Sequence, residues 1–109
     1  MVKIAKNYFA RKSNFVEWLV WEKLKDTVDV VFIAPCVEVA KDGSWLVQVR
    51  AESSGVGFPE DKAPFWMCDY QKPANCGILN GNLVQVDYGH EDTAIKLGIA
   101  VPEIKIEIV

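Results

Sequence analysis

The sequence predicts an α+β fold, in which a mostly antiparallel, strand-rich curved sheet, small barrel or sandwich carries one N-terminal helix. Three observations lead to this prediction. A helix-like segment stands near the N-terminus, runs of alternating or β-branched apolar residues fill much of the remaining chain, and short turn signals join several of these runs. The connections resemble hairpins and strands do not alternate with helices, which favours antiparallel pairing of six or seven strands.

Length and composition indicate a single domain over residues 1–109. Half of the residues are hydrophobic and 25% are charged, with both signs mixed, so an ordinary core can form and long disorder is not expected. No window has the length and apolarity of a membrane span, and the N-terminus lacks the apolar core of a secretory signal. Three cysteines at irregular spacing favour reduced thiols and a cytoplasmic location.

The N-terminal quarter of the chain contains the helix. The segment from Val2 to Phe9 alternates loosely and predicts either a short edge strand or the run-in to that helix. We predict the helix over residues 14–25, because Ser13 or Asn14 could cap it and Glu17 stands at capping-box spacing from Asn14. Its apolar residues spread almost all the way round the axis. Such a helix needs two partners: the sheet, and either the long loop described below, another subunit or a ligand.

The middle of the chain holds a Val-rich run and the first hairpin signal. The run from Thr27 to Ile33 ends at Pro35 and is counted as a strand. Strands 36–40 and 44–51 then flank the turn sequence 41–43, Lys-Asp-Gly. This is the clearest local signal in the sequence.

The loop length of this hairpin sets its register. A two-residue Asp-Gly turn would pair Val39 with Leu46 and divide the apolar side chains between two faces. A three-residue loop with Gly43 in the left-handed region pairs Val39 with Trp45 and gathers five apolar side chains on one face. We therefore predict the three-residue loop, with Leu46 and Gln48 on a mostly polar face that water could reach.

The C-terminal half predicts further strands. Asn80-Gly81 is a hairpin signal that leads into a strand from Leu83 to Tyr88, and residues 89–92 are typical of a turn. Alternating apolar residues predict strands over 95–101 and, after Pro102, over 104–108. The last strand, if it lies at a sheet edge, invites pairing with a second copy, so we expect a homodimer.

Residues 54–77, here called the long loop, separate two strand-rich halves. Three prolines and three glycines prevent a regular element there, yet several aromatic side chains and a methionine need cover. Two interpretations stay open. The rings either plug the core or form a binding site together with the helix.

Binding is the function that the sequence favours. Aromatic side chains on a proline-constrained loop lose little entropy on association and bury large areas. We expect a non-catalytic protein-interaction module of adaptor or inhibitor type that uses an aromatic surface of helix 14–25 and the long loop. The alternative is a small-molecule binder with an aromatic, mildly acidic pocket between them. The predicted site residues are Trp18, Trp21, Phe58, Phe65, Trp66, Asp69 and Tyr70.

Other functions find little support. Cys36, Cys68, Cys76 and His90 could ligate zinc, but no C-x-x-C-type pair occurs, so no metal or cofactor is predicted. No known nucleophile signature surrounds the cysteines, so catalytic residues are not predicted and an enzyme is disfavoured. The net charge of −3, the sparse N-terminal bases and the lack of a phosphate-binding glycine motif argue against nucleic-acid partners. A membrane partner is not expected either.

Overall fold

The computed structural model describes residues 1–103, which form an α+β fold of two antiparallel three-stranded sheets and one main helix. The strands are β1 (Val2–Ile4), β2 (Cys36–Val39), β3 (Trp45–Gln48), β4 (Glu52–Ser53), β5 (Cys76–Leu79) and β6 (Asn82–Gln85). The α-helices are α1 (Tyr8–Leu24) and α2 (Glu91–Lys96), and two 3-10 helices span Val28–Phe32 and Pro73–Asn75.

The first sheet has the strand order β1-β3-β2 and the second has the order β4-β5-β6. The predicted fold class is confirmed, and within residues 1–103 the sheets do not close into a barrel. The strand predicted over 104–108 lies outside the described residues. No helix in the described range is both long and apolar enough to cross a membrane.

The helix α1 begins at Tyr8 and not near residue 14 as predicted. Asn7 caps it, because its side-chain oxygen accepts a first-turn backbone N–H at 2.8 Å. Ser13 and Asn14, the predicted caps, lie inside the helix and make tertiary bonds. Asn14, for example, donates its amide to the carbonyl of Gly43 at 3.0 Å. Polar residues of cap type therefore fasten a neighbouring loop to the helix.

Both partners that α1 needs are present in the chain. It packs against β2 and β3 and also against α2 and the first 3-10 helix. Its residues Val16 and Val20 are buried in the same core cluster as Trp66 and Met67 of the long loop. The cluster consists of Val16, Val20, Leu24, Ile33, Cys36, Leu46, Phe58, Trp66, Met67, Cys76, Tyr88 and Ala94.

An ion pair joins β1 to α1 in the interior. The Lys3 ammonium lies 2.8 Å from Oε2 of Glu17, whose side chain is only 2% exposed. Tyr88 donates its backbone N–H to the other oxygen of Glu17 at 2.9 Å. Burial raises the pKa of the Glu17 carboxyl, while Lys3 and the Tyr88 N–H oppose that rise.

The predicted register of the first hairpin is wrong. Val39 pairs with Leu46, the five residues 40–44 join the strands, and a bulge lies between Cys36 and Glu38. Leu46 and Gln48 face the core and are fully buried, so their face is not wet. Asn14 of α1 bonds to Gly43 and thereby fixes the loop. This tertiary contact has a larger effect on the register than the placement of all apolar side chains on one face.

Two predicted strands do not form. The Val-rich run forms the 3-10 helix Val28–Phe32, because Thr27 bonds back to the carbonyl of Leu24 and the chain turns directly after α1. The segment predicted as a strand over 95–101 contains the end of α2, whose first turn is acidic and whose end is capped at Gly98 with φ 71.

The second hairpin is confirmed. Leu79 pairs with Asn82 across the two-residue loop Asn80-Gly81, in which both residues have positive φ, 52 and 80. The N-terminal edge strand is also present as β1.

Candidate binding groove at the edge of β6

The long loop is tied to the second sheet and to the first 3-10 helix. Gln85 of β6 donates its side-chain amide to the carbonyl of Cys68 at 2.6 Å. The indole N–H of Trp66 donates to the carboxylate of Asp29 at 3.0 Å. A backbone bond from Phe58 closes the loop on itself. The loop therefore provides a fixed wall beside β6.

The seven residues predicted as the site divide between core and surface. Trp66 and Phe58 are buried, Trp18, Trp21 and Tyr70 are half-buried against the core, Asp69 is exposed, and the ring of Phe65 is 74% exposed. The long loop and α1 thus contribute buried side chains to the same core. Among these seven, all within the described residues, Phe65 presents the most accessible ring.

A wide pocket of about 390 Å³ opens between the first 3-10 helix, the long loop and β6. Its lining consists of Val31, Phe32, Phe58, Pro59, Lys62, Asn82 and Leu83. The rings of Phe32 and Phe58 meet edge to face, with centroids 6.3 Å apart, and form one aromatic wall. Of the seven predicted residues, each of which the structure describes, Phe58 alone lines this pocket.

A narrow pocket of about 160 Å³ adjoins the wide one. It is lined by Val30, Val31, Ile33, Pro35, Leu79, Asn80, Asn82 and Val84. Val31 and Asn82 belong to both linings, and Val31 is 60% exposed. We call the two pockets together, with the outer side of β6, the edge groove.

The backbone of β6 offers hydrogen-bonding groups to this groove. The carbonyl of Gln85 points away from β5, since it accepts the N–H of Ala34 at 3.0 Å. Backbone groups alternate along a strand, so the N–H and C=O of Leu83 point the same way. Within residues 1–103, β6 is the last strand of its sheet, and these two groups have no strand beside them.

The side chains of β6 place the pockets on opposite faces of this edge. Leu83 lines the wide pocket and Val84 lines the narrow one. Neighbouring side chains on a strand point to opposite faces. An extended chain that paired with β6 would therefore direct successive side chains into the two pockets.

The groove is apolar with one cation. Lys62 is the single ionisable residue among those that line the wide pocket, and the narrow lining, also wholly within the described residues, has none. The backbone N–H groups of Lys62 and Ala63 both donate to the carbonyl of Pro59, which places Pro59 and Lys62 on one tight turn. This lining suits an apolar ligand, and Lys62 could pair with an acidic group on it.

Burial affects two of the three thiols that the sequence offers as nucleophiles. Burial raises the pKa of the Cys36 thiol to about 12, although the hydroxyl of Tyr88 lies 3.1 Å away, and burial also raises the pKa of Cys76. Nε2 of His90 lies 3.9 Å from a carboxylate oxygen of Asp69. No group of three possible metal ligands occurs in the part of the chain that the structure describes. Thiols that remain protonated are poor nucleophiles.

Sequence reasoning missed most of the groove. Val31, Lys62, Asn82 and Leu83 were not among the candidates. The Asn-Gly turn did place Leu83 on a strand, but the neighbour of that strand was not apparent because the Val-rich run was expected to be a strand itself.

No protein-family model matches this chain, and no curated protein or solved structure matches it either.

Proposed function

We propose that this protein is a non-catalytic interaction module that binds an extended apolar segment of a partner protein along β6. The observation that supports this most strongly is the pair of pockets on opposite faces of one strand edge, joined through Val31 and Asn82. A segment added to the sheet bonds to the outward N–H and C=O of Leu83. Its alternate side chains enter the two pockets and supply specificity.

The pocket volumes define which side chains fit. The wide pocket, about 390 Å³ with an aromatic wall, accepts an aromatic ring. The narrow pocket, about 160 Å³ and lined mainly by aliphatic groups, accepts a branched aliphatic side chain. Because the pockets lie on opposite faces of the edge, the partner segment has an aromatic residue directly next to an aliphatic one.

Weak, reversible binding is the expected regime. Two main-chain hydrogen bonds contribute roughly 0.5–1.5 kcal/mol each. Burying an aromatic and an aliphatic side chain adds about 1.5–3 kcal/mol each, and association entropy opposes both gains. The gains sum to about 4–9 kcal/mol, and the association cost of about 4 kcal/mol or more is subtracted from this sum, so we expect a dissociation constant on the order of 0.1 to 1 mM.

A labelled peptide with the central sequence Gln-Thr-Phe-Val-Gln, titrated by fluorescence anisotropy, tests the proposal. Val31→Asn removes apolar wall from both pockets and weakens binding about tenfold. Val28→Asn is the matched control, since Val28 lies in the same 3-10 helix, is 87% exposed and lines neither pocket. Absence of binding up to 1 mM peptide, or equal weakening by both substitutions, contradicts the proposal.

A small apolar molecule is the second candidate ligand. The volume of the wide pocket falls within the range of about 300–1,000 Å³ that is usual for such sites. A small molecule fills the wide pocket without pairing with the backbone of Leu83. Protection of the Leu83 N–H from hydrogen exchange therefore distinguishes a bound segment from a bound small molecule.

Three further features belong to the same proposal. The exposed ring of Phe65 on the long loop provides additional contact area for a protein partner.

The strand β1 supports a homodimer. Within the described residues it is an edge strand of the first sheet, and its Val2 and Ile4 are exposed. Sedimentation velocity tests this oligomeric state. Three free cysteines support a cytoplasmic location.

A further inference from the structure

We infer that the partner segment carries an acidic side chain two positions from its aromatic residue, and that Lys62 recognises this carboxylate. The inference rests on the proposed function, because it concerns the segment bound in the edge groove. Side chains two residues apart on a strand lie on the same face. An acidic residue at that spacing therefore reaches the wall of the wide pocket beside the bound ring.

The position of Lys62 is set by the backbone. Its N–H donates to the carbonyl of Pro59 at 3.0 Å, and both residues line the wide pocket from one turn of the long loop. Glu60 and Asp61, the acids that precede it, are exposed and outside the lining. Among the ion pairs of the described residues, none involves Lys62. Within residues 1–103, its ammonium is therefore not held by an acidic side chain.

The groove favours an acidic side chain over a terminal carboxylate. The two pockets share Val31 and Asn82 in their linings, so a segment that fills both runs through the groove and does not end in the wide pocket. The side-chain amide of Asn82 is a second hydrogen-bond donor on the same lining as Lys62. Lys62 is thus a specificity-determining residue for an apolar segment that carries an acidic side chain.

Two capped peptides, acetylated and amidated, test this inference. One contains Glu-Thr-Phe-Val-Glu, with an acid two positions from Phe on either side, because the strand direction of the partner is open. The other contains Gln-Thr-Phe-Val-Gln. We expect wild-type protein to bind the acidic peptide about two- to fivefold more tightly at low ionic strength, and the preference to shrink as salt is added.

Variants identify the cation that causes the preference. Lys62→Met should remove the preference for the acidic peptide over the Gln peptide, and Lys62→Glu should reverse that preference. Lys41→Glu is the matched control for Lys62→Glu. Lys41 is exposed in the loop of the first hairpin, and both substitutions change the net charge by the same amount.

The outcomes separate the two claims. If wild type binds both peptides equally, or if Lys62→Met keeps the preference, the inference is overturned while the proposed function stands. If wild type binds neither peptide, the proposed function and the inference fail together.

Discussion

Ala34 donates its backbone N–H to the carbonyl of Gln85 at 3.0 Å, and this bond shows which side of β6 faces away from β5. It joins the chain after the first 3-10 helix to the end of β6, next to the parallel bridge between Ile33 and Gln85. Toward Asn82, the same side of the strand borders the two pockets. Backbone groups two residues apart on a strand point the same way, so the N–H and C=O of Leu83 also face away from β5.

Gly43 and Gly55 predict a contrast in stability. Both have positive φ, 72 and 68, but a Cβ on Gly43 would lie 2.1 Å from the carbonyl oxygen of Arg11, while a Cβ on Gly55 meets nothing within 4 Å. Gly55→Ala should cost about 1–2 kcal/mol from the left-handed backbone alone. Gly43→Ala should cost about 1–3 kcal/mol more, because α1 and the loop must separate. Urea denaturation measures both variants, and equal costs would contradict the close approach to α1.

The buried pair of Lys3 and Glu17 predicts asymmetric costs. Lys3→Met leaves a buried carboxylate with the Tyr88 N–H as its remaining donor and should destabilise the protein by about 3–5 kcal/mol near neutral pH. Glu17→Gln should cost less, since the amide oxygen can still accept from Tyr88 and Lys3 is partly exposed.

The same pair predicts a pH effect. Burial raises the pKa of Glu17, and loss of the Lys3 charge raises it further. The carboxyl then protonates more easily in the folded protein than in the unfolded chain, so the penalty of Lys3→Met should shrink as the pH is lowered toward 5. Chemical denaturation at several pH values measures this change. A penalty that stays constant or grows at low pH would rule out the proposed cause.

Cys36 predicts a loss of stability at alkaline pH. Its pKa in the folded protein is about 12, so between pH 9 and 11 only the unfolded chain gains a thiolate there. Stability should fall as the pH rises through this window, by at most about 1.4 kcal/mol per pH unit from this thiol. The variant Cys36→Ala should show a shallower decline. Identical slopes for wild type and variant would show that Cys36 does not titrate as described.

The fold class followed from local signals, and the errors arose where tertiary contacts override them. The Asn80-Gly81 turn specified its hairpin because both positions require positive φ, which is a local property. The first hairpin also has a local turn signal, but α1 holds Gly43 and thereby sets the loop. The first 3-10 helix has the β-branched composition of a strand, and its conformation depends on how soon the chain must turn after α1.

The groove was less accessible to sequence reasoning than the fold. The aromatic residues of the long loop stand out in the sequence, but the structure places Trp66 in the core and not in the groove. The lining of the groove comes from three separate segments, represented by Val31, Lys62 and Leu83, and each is ordinary in its own context. A pocket built from distant, unremarkable residues is a property of the topology, which no local pattern reports.

Hydrogen exchange at single amides tests the central claim most directly. In the free protein the N–H of Leu83 should exchange quickly and that of Val84, which is paired with β5, slowly. At saturating concentrations of the Glu-Thr-Phe-Val-Glu peptide, the N–H of Leu83 should become protected by about tenfold or more, because it donates to the added strand. Binding of the peptide with no change at Leu83 would contradict the addition of a strand to β6.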